Sequence, residues 1–321
     1  MPGPNSRRWL LRVAAATVMA TLVALAPAPE SPASAPFVVV LGITQDAGYP
    51  QAGCTAACCA GAWADPTRRR YAACLGIVDP VSNERWLIEA TPDLRAQLRA
   101  LDDVQTPAAT PGLDGILLTH AHIGHYTGLV FIGHESIGAT GVPVYAMPRM
   151  RAFLSENGPW DQLVEYENIT LRPIEADRPF RLNDRIEVTA FRVPHREEYT
   201  EVVGFRIAGP ERTILFIPDI DKWERWSRRL EDVIAGVDVA YVDGTFYADG
   251  ELPNRDMSKI PHPFIAETMT RLAPLPAAER AKIRFIHLNH TNPALDAASA
   301  ASRRIETAGF RVARQGERVD L

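Results

Sequence analysis

Three imidazoles crowd the segment Thr119-His120-Ala121-His122-Ile123-Gly124-His125, in a chain that has 8 histidines in all. Imidazole is the commonest metal-binding side chain, and alternation along an extended segment puts His120 and His122 on the same side. His125, one turn later, can swing to a neighbouring position. An apolar strand candidate, Gly115–Thr119, runs straight into this loop, and packing gives no reason for so many ring nitrogens at a strand end. Further donors stand at the ends of other apolar runs. His195 follows Val193-Pro194, Asp219 closes Phe216-Ile217-Pro218-Asp219, and His287 sits in Phe285-Ile286-His287-Leu288 with His290 just beyond. Alone, each has a plainer reading: a core histidine satisfied by backbone, or an aspartate capping a helix near Lys222. Together they are the nitrogen and oxygen donors that suit one or two divalent ions. His262, in Ile260-Pro261-His262-Pro263, is a candidate general acid beside a leaving group, or else a helix-terminal or surface histidine. Tyr49, Trp63 and Phe246 are candidates for a pocket wall, the core or the surface.

The elements that must hold these residues follow from hydrophobic patterning. The chain has 321 residues, 46% hydrophobic and 23% charged. That composition excludes collagen-like, coiled-coil and disordered classes. Lys+Arg number 34 against 39 Asp+Glu, a formal charge of −5. No basic run exceeds Arg68-Arg69-Arg70, so no nucleic-acid-binding surface is indicated. Strands are expected at 37–41, 73–78, 86–90, 115–119, 142–146, 186–192, 202–207, 213–217, 237–242 and 284–288. A helix is expected after Thr91-Pro92-Asp93, with Leu94, Leu98 and Leu101 on one face, and others at 150–156, 222–235, 263–272 and 295–308. Strands outnumber helices and many connect as hairpins, which predicts mixed sheets in one α/β domain over residues 36–321.

Residues 1–35 read as a signal peptide. Arg7, Arg8 and Arg12 precede the uncharged run Val13–Ala26, and small residues end at Ala33-Ser34-Ala35. The run is shorter than the about 20 residues a membrane span needs. Ser6-Arg7-Arg8-Trp9-Leu10-Leu11 resembles a twin-arginine export signal. The expected location is periplasmic or secreted, with no stable membrane anchor after cleavage.

A strand leading into His-x-His-x-x-His, then a His, an Asp and a C-terminal His, resembles the metallo-β-lactamase fold. Within that fold the chain resembles the pyrroloquinoline quinone biosynthesis protein B group. The likeness is carried by Leu41-Gly42 through Gly53-Cys54, Cys59-Ala60-Gly61, Ala90-Thr91-Pro92-Asp93-Leu94, Tyr126-Thr127-Gly128-Leu129, Val242-Asp243-Gly244-Thr245-Phe246 and Ile286-His287-Leu288-Asn289-His290-Thr291-Asn292-Pro293. It implies a four-layer αβ/βα sandwich: two mixed sheets face to face, helices outside, metals at one sheet edge. It also implies a first metal position of His120, His122 and His195, a second of His125 and His287, and Asp219 bridging them. Zinc is the implied ion, with manganese or iron as the other candidates. Two departures stand out. Gly124 occupies the place of the usual Asp, which predicts a weaker second position; Asp46, in Thr44-Gln45-Asp46-Ala47, reads first as a turn residue and second as a substitute ligand from across the cleft. The paired histidines His120 and His122, which the quinone-biosynthesis members commonly lack, point to a paralogue that keeps a hydrolytic metal centre.

The cysteines Cys54, Cys58, Cys59 and Cys74 all lie near the N-terminus. The resemblance implies a structural zinc held by cysteines of this loop and the late His290; here Cys54 and Cys59 match the outer positions, Ala56 replaces the middle one and Cys58 is additional. Disulfides are the alternative, since four cysteines in an exported chain permit three pairings. Cys74 reads as a buried strand residue. The functional expectation is an exported metal-dependent hydrolase, in which a metal-bound hydroxide oriented by Asp219 attacks a small-molecule substrate of the phosphodiester or lactone/ester type. The alternatives are a quinone-cofactor biosynthesis protein that uses iron or carries the quinone, and a non-catalytic binding module.

Overall fold

The structure is a computed structural model that describes residues 34–321, together with Met1 and Gly3. The export leader expected over residues 1–35 therefore falls almost wholly outside the described residues. Strands β1 (Phe37–Gly42), β2 (Cys74–Asp79), β3 (Glu84–Ile88), β4 (Gly115–Leu117), β5 (Val142–Ala146) and β6 (Ile169–Pro173) build most of a first sheet. Strands β7 (Pro179–Arg181), β8 (Glu187–Arg192), β9 (Val203–Ala208), β10 (Thr213–Ile217), β11 (Val239–Asp243), β12 (Ile283–Ile286) and β13 (Arg311–Val312) form the second, and β14 (Arg318–Asp320) returns to the first beside β1. The first sheet runs in the order β14-β1-β2-β3-β4-β5-β6 and the second β13-β12-β11-β10-β9-β8-β7. Each is mixed: β1, β2 and β3 pair antiparallel and β3 to β6 parallel, while β7 to β10 pair antiparallel and β10 to β13 parallel.

The period of two along each strand divides its side chains between two apolar layers. Val38, Val40, Leu75 and Ile77 enter the core between the sheets with Val188, Phe205 and Ile207. Val39, Leu41, Val78 and Leu87 face the other way, onto helices that contribute Leu94, Leu101, Met150 and Leu154. Cys74 belongs to this second layer and is fully buried, as its place in an apolar strand suggested. Leu230, Ile234, Ile265, Leu272 and Ile305 cover the second sheet. The result is the expected four-layer sandwich. Among the described residues no helix is long and apolar enough to cross a membrane.

Three expected helices are shortened by tertiary contacts. The stretch 222–235 is a 3-10 turn at Trp223–Arg225, an extended Trp226 and a helix only from Leu230 to Ala235. Both indoles are anchored elsewhere, Trp223 Nε1 donating to Thr268 Oγ1 (2.8 Å) and Trp226 Nε1 to the Arg192 carbonyl (2.9 Å). The stretch 295–308 is helical only over Ala300–Thr307, because Ser299 caps it by accepting from the Ser302 N–H. The stretch 263–272 starts at Ile265, after Glu267 reaches back to the Phe264 N–H. Helix α1 (Ala57–Ala64) and the strands β6, β7, β13 and β14 had no clear period in the sequence. β6 and β7 are edge strands with half their positions in solvent.

At one edge the two sheets are joined. Beyond β1 and β12 the chain forms a parallel bridge from Thr44 to Leu288. The Gln45 N–H donates to the Leu288 carbonyl (2.9 Å) and the Leu288 N–H to the Ile43 carbonyl (2.8 Å). That edge gathers the segments leaving β1, β3, β4, β8, β10, β11 and β12.

Candidate metal centre

β4 delivers Thr119 and His120, and the short helix Ile123–Tyr126 carries His125. His195 follows β8, Asp219 follows β10, and His287 follows β12. All are nearly excluded from solvent. One ligand atom from each of His120, His122, His195 and Asp219 falls within 4.8 Å of the others, and so it does for Asp46, His125 and His287.

Asp219 lies between these two groups. Its Oδ2 is 3.1 Å from His195 Nε2, 3.5 Å from His120 Nε2, 4.0 Å from His122 Nδ1 and 3.8 Å from His125 Nε2. The outer nitrogen of four of the five rings is held by a neighbour. His120 Nδ1 is 2.9 Å from Thr119 Oγ1, His122 Nε2 is 3.1 Å from Glu198 Oε2, His195 Nδ1 is 3.1 Å from Asp221 Oδ1, and His287 Nδ1 is 3.0 Å from Thr245 Oγ1. Such partners select the tautomer whose other nitrogen carries a lone pair toward the centre. His122 is therefore turned with Nδ1 inward, and His120, His195 and His287 with Nε2 inward; His125 turns its Nε2 toward Asp46 and Asp219.

Buried polar atoms are almost always hydrogen-bonded. Here His125 Nε2, His195 Nε2, His287 Nε2, Asp46 Oδ1 and Asp219 Oδ1 are buried without a hydrogen-bond partner. Orphaned polar atoms from imidazole nitrogens and carboxylate oxygens, converging on two adjacent points, fit divalent cations. The charges agree. Burial opposes a charged His195, yet Asp219 and Asp221 raise its pKa to about 10. Burial likewise opposes a charged Asp219, but His195 and His262 hold its carboxyl far below the usual carboxylate range. His120 is pushed well below the ordinary imidazole value by burial and by His125 beside it. His287 also sits at φ 64°, in the left-handed region that β-carbon sterics disfavour. Such strain persists only where the surroundings impose it.

His262 joins this cluster. Its Nδ1 is 2.8 Å from Asp243 Oδ2 and 3.3 Å from Asp219 Oδ1. Burial works against its charge, and Asp243 and Asp219 overcome it, raising the pKa. Phe246 packs edge-on against its ring. Sequence reading passed over Glu89, Asp221 and Asp243, although each carries the same mark as Asp219: an acid closing or following an apolar strand. Asp46 does lie in a turn, with the Gly48 N–H donating to the Gln45 carbonyl (2.9 Å). Its carboxylate, however, is directed at His125, 3.3 Å from Nε2, so the turn serves to present it.

A second cluster lies on and beside α1. Ligand atoms of Cys54, Cys58, Cys59 and His290 fall within 4.8 Å of one another, Cys54 Sγ being 3.6 Å from Cys58 Sγ. No disulfide joins Cys54, Cys58, Cys59 or Cys74 in this structure. Tyr49 and Trp63 brace this loop, donating to the carbonyls of Cys58 (2.8 Å) and Cys54 (2.7 Å). Three sulfurs and an imidazole suit a structural zinc.

The Beta-lactamase superfamily domain model matches residues 84–280, and the chain belongs to that superfamily. Coenzyme PQQ synthesis protein B of Rhodopseudomonas palustris (strain TIE-1) is 30% identical over 315 residues, covering 88% of this chain and 99% of that protein. The crystal structure of Zn(2+)-bound PqqB from Methylobacterium extorquens superposes with a TM-score of 0.74 at 25% identity, over 89% of this chain and 100% of that one. A diphosphatase from the PhnP family shares the fold, with a TM-score of 0.61 at 19% identity over 90% and 98% of the two chains. Within the superfamily the chain falls in the PqqB-like group.

Proposed function

We propose that this chain is a metal-dependent hydrolase acting on a small phosphodiester, lactone or ester. The observation that carries the reading is the pair of imidazole clusters that share Asp219. His120, His122 and His195 would hold one ion, His125 and His287 a second, with Asp219 between them. Divalent ions there, zinc foremost, supply Lewis acidity toward a carbonyl or phosphoryl oxygen and activate water at neutral pH. The chain supplies the rest. Thr119, Asp221 and Thr245 lock ring tautomers, so no donor must reorient during reaction. Asp243 engages Nδ1 of His262, which leaves Nε2 as the nitrogen from which a proton can pass to a departing oxygen. The three-thiol cluster would hold a separate zinc that fastens α1. Export to the periplasm or beyond, by the arginine-led leader, belongs to the same reading.

One observation favours a second reading: relatives matched over nearly their whole length are coenzyme PQQ synthesis proteins. On that reading the centre would hold iron, or bind a quinone precursor without hydrolysis. Metal analysis of the purified protein, followed by a screen over phosphodiesters, lactones and β-lactams, separates the two. Zinc or manganese with turnover supports the hydrolase; redox-active iron with oxygen consumption supports the quinone step. Failure to retain any metal overturns the hydrolase and the iron-dependent quinone step, and favours a non-catalytic binding module.

A further inference from the structure

We propose that Asp46 supplies the carboxylate of the second metal position, and that Gly124 is glycine because Asp46 fills its place. The inference rests on the reading of His125 and His287 as metal ligands. Asp46 Oδ1 lies 3.3 Å from His125 Nε2 and 3.9 Å from His287 Nε2. All three atoms are buried without a hydrogen bond, although two of the contacts are charge pairs by distance. Acceptor lone pairs that come this close without bonding are aimed at a common point, as ligands of one ion are.

The space around Gly124 makes the same case independently. A β-carbon at residue 124 would fall 2.1 Å from Asp46 Oδ1 and 2.4 Å from Asp46 Cα. Contacts of that length do not occur, so a side chain at 124 and the present course of residues 45–47 exclude each other. Gly124 has an ordinary negative φ, so conformational freedom is not what it provides. It provides room. The Asp46 loop cannot easily retreat, because the Thr44–Leu288 bridge and the Gln45 N–H to Leu288 bond tie it to the strand that bears His287. A carboxylate is thus delivered to the second position from the end of β1 instead of from the histidine loop. Charge and donor number are kept while the covalent origin changes.

Titration of the metal-free protein with Mn2+, followed by calorimetry and by the loss of free-Mn2+ paramagnetic resonance signal, tests this without any activity assay. Manganese avoids the thiolate cluster, so the count reports the histidine sites. The unmodified protein should bind two ions. Asp46→Asn, nearly isosteric, should keep the first and weaken the second by more than the about 10–100-fold that loss of an outer partner costs. Gly124→Asp alone should weaken the second ion too, through collision with Asp46, whereas Asp46→Gly combined with Gly124→Asp should restore it. Two tight ions in Asp46→Asn, or a second ion tightened by Gly124→Asp alone, overturns the proposal. No Mn2+ or Zn2+ bound by the unmodified protein overturns the underlying metal reading instead.

Discussion

Glu89 Oε1 stands 3.2 Å from His125 Nδ1, and Glu89 itself is held at φ 83° with no solvent exposure. The same oxygen accepts from Thr119 Oγ1 at 2.5 Å, and that hydroxyl is 2.9 Å from His120 Nδ1. One buried carboxylate just after β3 therefore stands beside His125 of one cluster and, through Thr119, beside His120 of the other. Burial disfavours charge on His125, but Glu89 and Asp46 raise its pKa well above the ordinary value, so a proton competes with a cation for this ring.

Glu89→Ala should accordingly loosen both ions, by about 10–100-fold each, as removal of a partner that orients a ligand does. Glu89→Gln, which keeps the contact but not the charge, should cost less. Competition with a chromogenic chelator measures both constants. An effect confined to the second ion would show that the Thr119 link to His120 carries no orientation.

Asp221→Ala should act on the first position only. Asp221 reaches His195 Nδ1 and is itself held by Arg225 Nη1 at 2.7 Å. The same titration should show the first ion weakened about 10–100-fold and the second little changed.

His290→Ala should release one zinc from the purified protein while the histidine-bound metals stay. Because metal binding to such a loop is coupled to its folding, the melting temperature should fall with the lost zinc. Elemental analysis beside calorimetry checks both, and peptide mapping without reduction that finds Cys54 or Cys59 in a disulfide would refute the zinc assignment.

Arg85 tests the scaffold away from the centre. Its side chain is 1% exposed; Nη1 meets Asp102 Oδ1 at 2.9 Å, while Nε, Nη1 and Nη2 donate to the carbonyls of Gly112, Gln105 and Pro111. Arg85→Met should destabilise by about 1–3 kcal/mol, since it removes the donor to these part-buried carbonyls and one partner of a half-buried ion pair. Urea denaturation reads the loss, and metal stoichiometry should not change.

The proposed export leader is tested in cells. Changing Arg7 and Arg8 to Lys should leave a full-length precursor in the cytoplasm if the twin-arginine route is used. Unaltered export would exclude that route.

Much of this molecule is written locally. Apolar runs such as 37–41, 142–146 and 213–217 declare strands because a half-buried or buried strand needs nothing beyond its own residues to show its pattern. Donors at strand ends, His120, His195, Asp219 and His287, are visible for the same reason. Helix limits at 222–235 and 295–308 are less visible, since indole anchors and a serine cap, not periodicity, set them. What only the tertiary structure decides is which donors meet. Asp46 and Gly124 are 78 positions apart, and Glu89 and Asp221 look like ordinary acids in the chain. The bridge from Thr44 to Leu288, far apart in sequence, brings the end of β1 against the end of β12. Convergence on an ion depends on such long-range pairing, and local patterning carries no record of the partner.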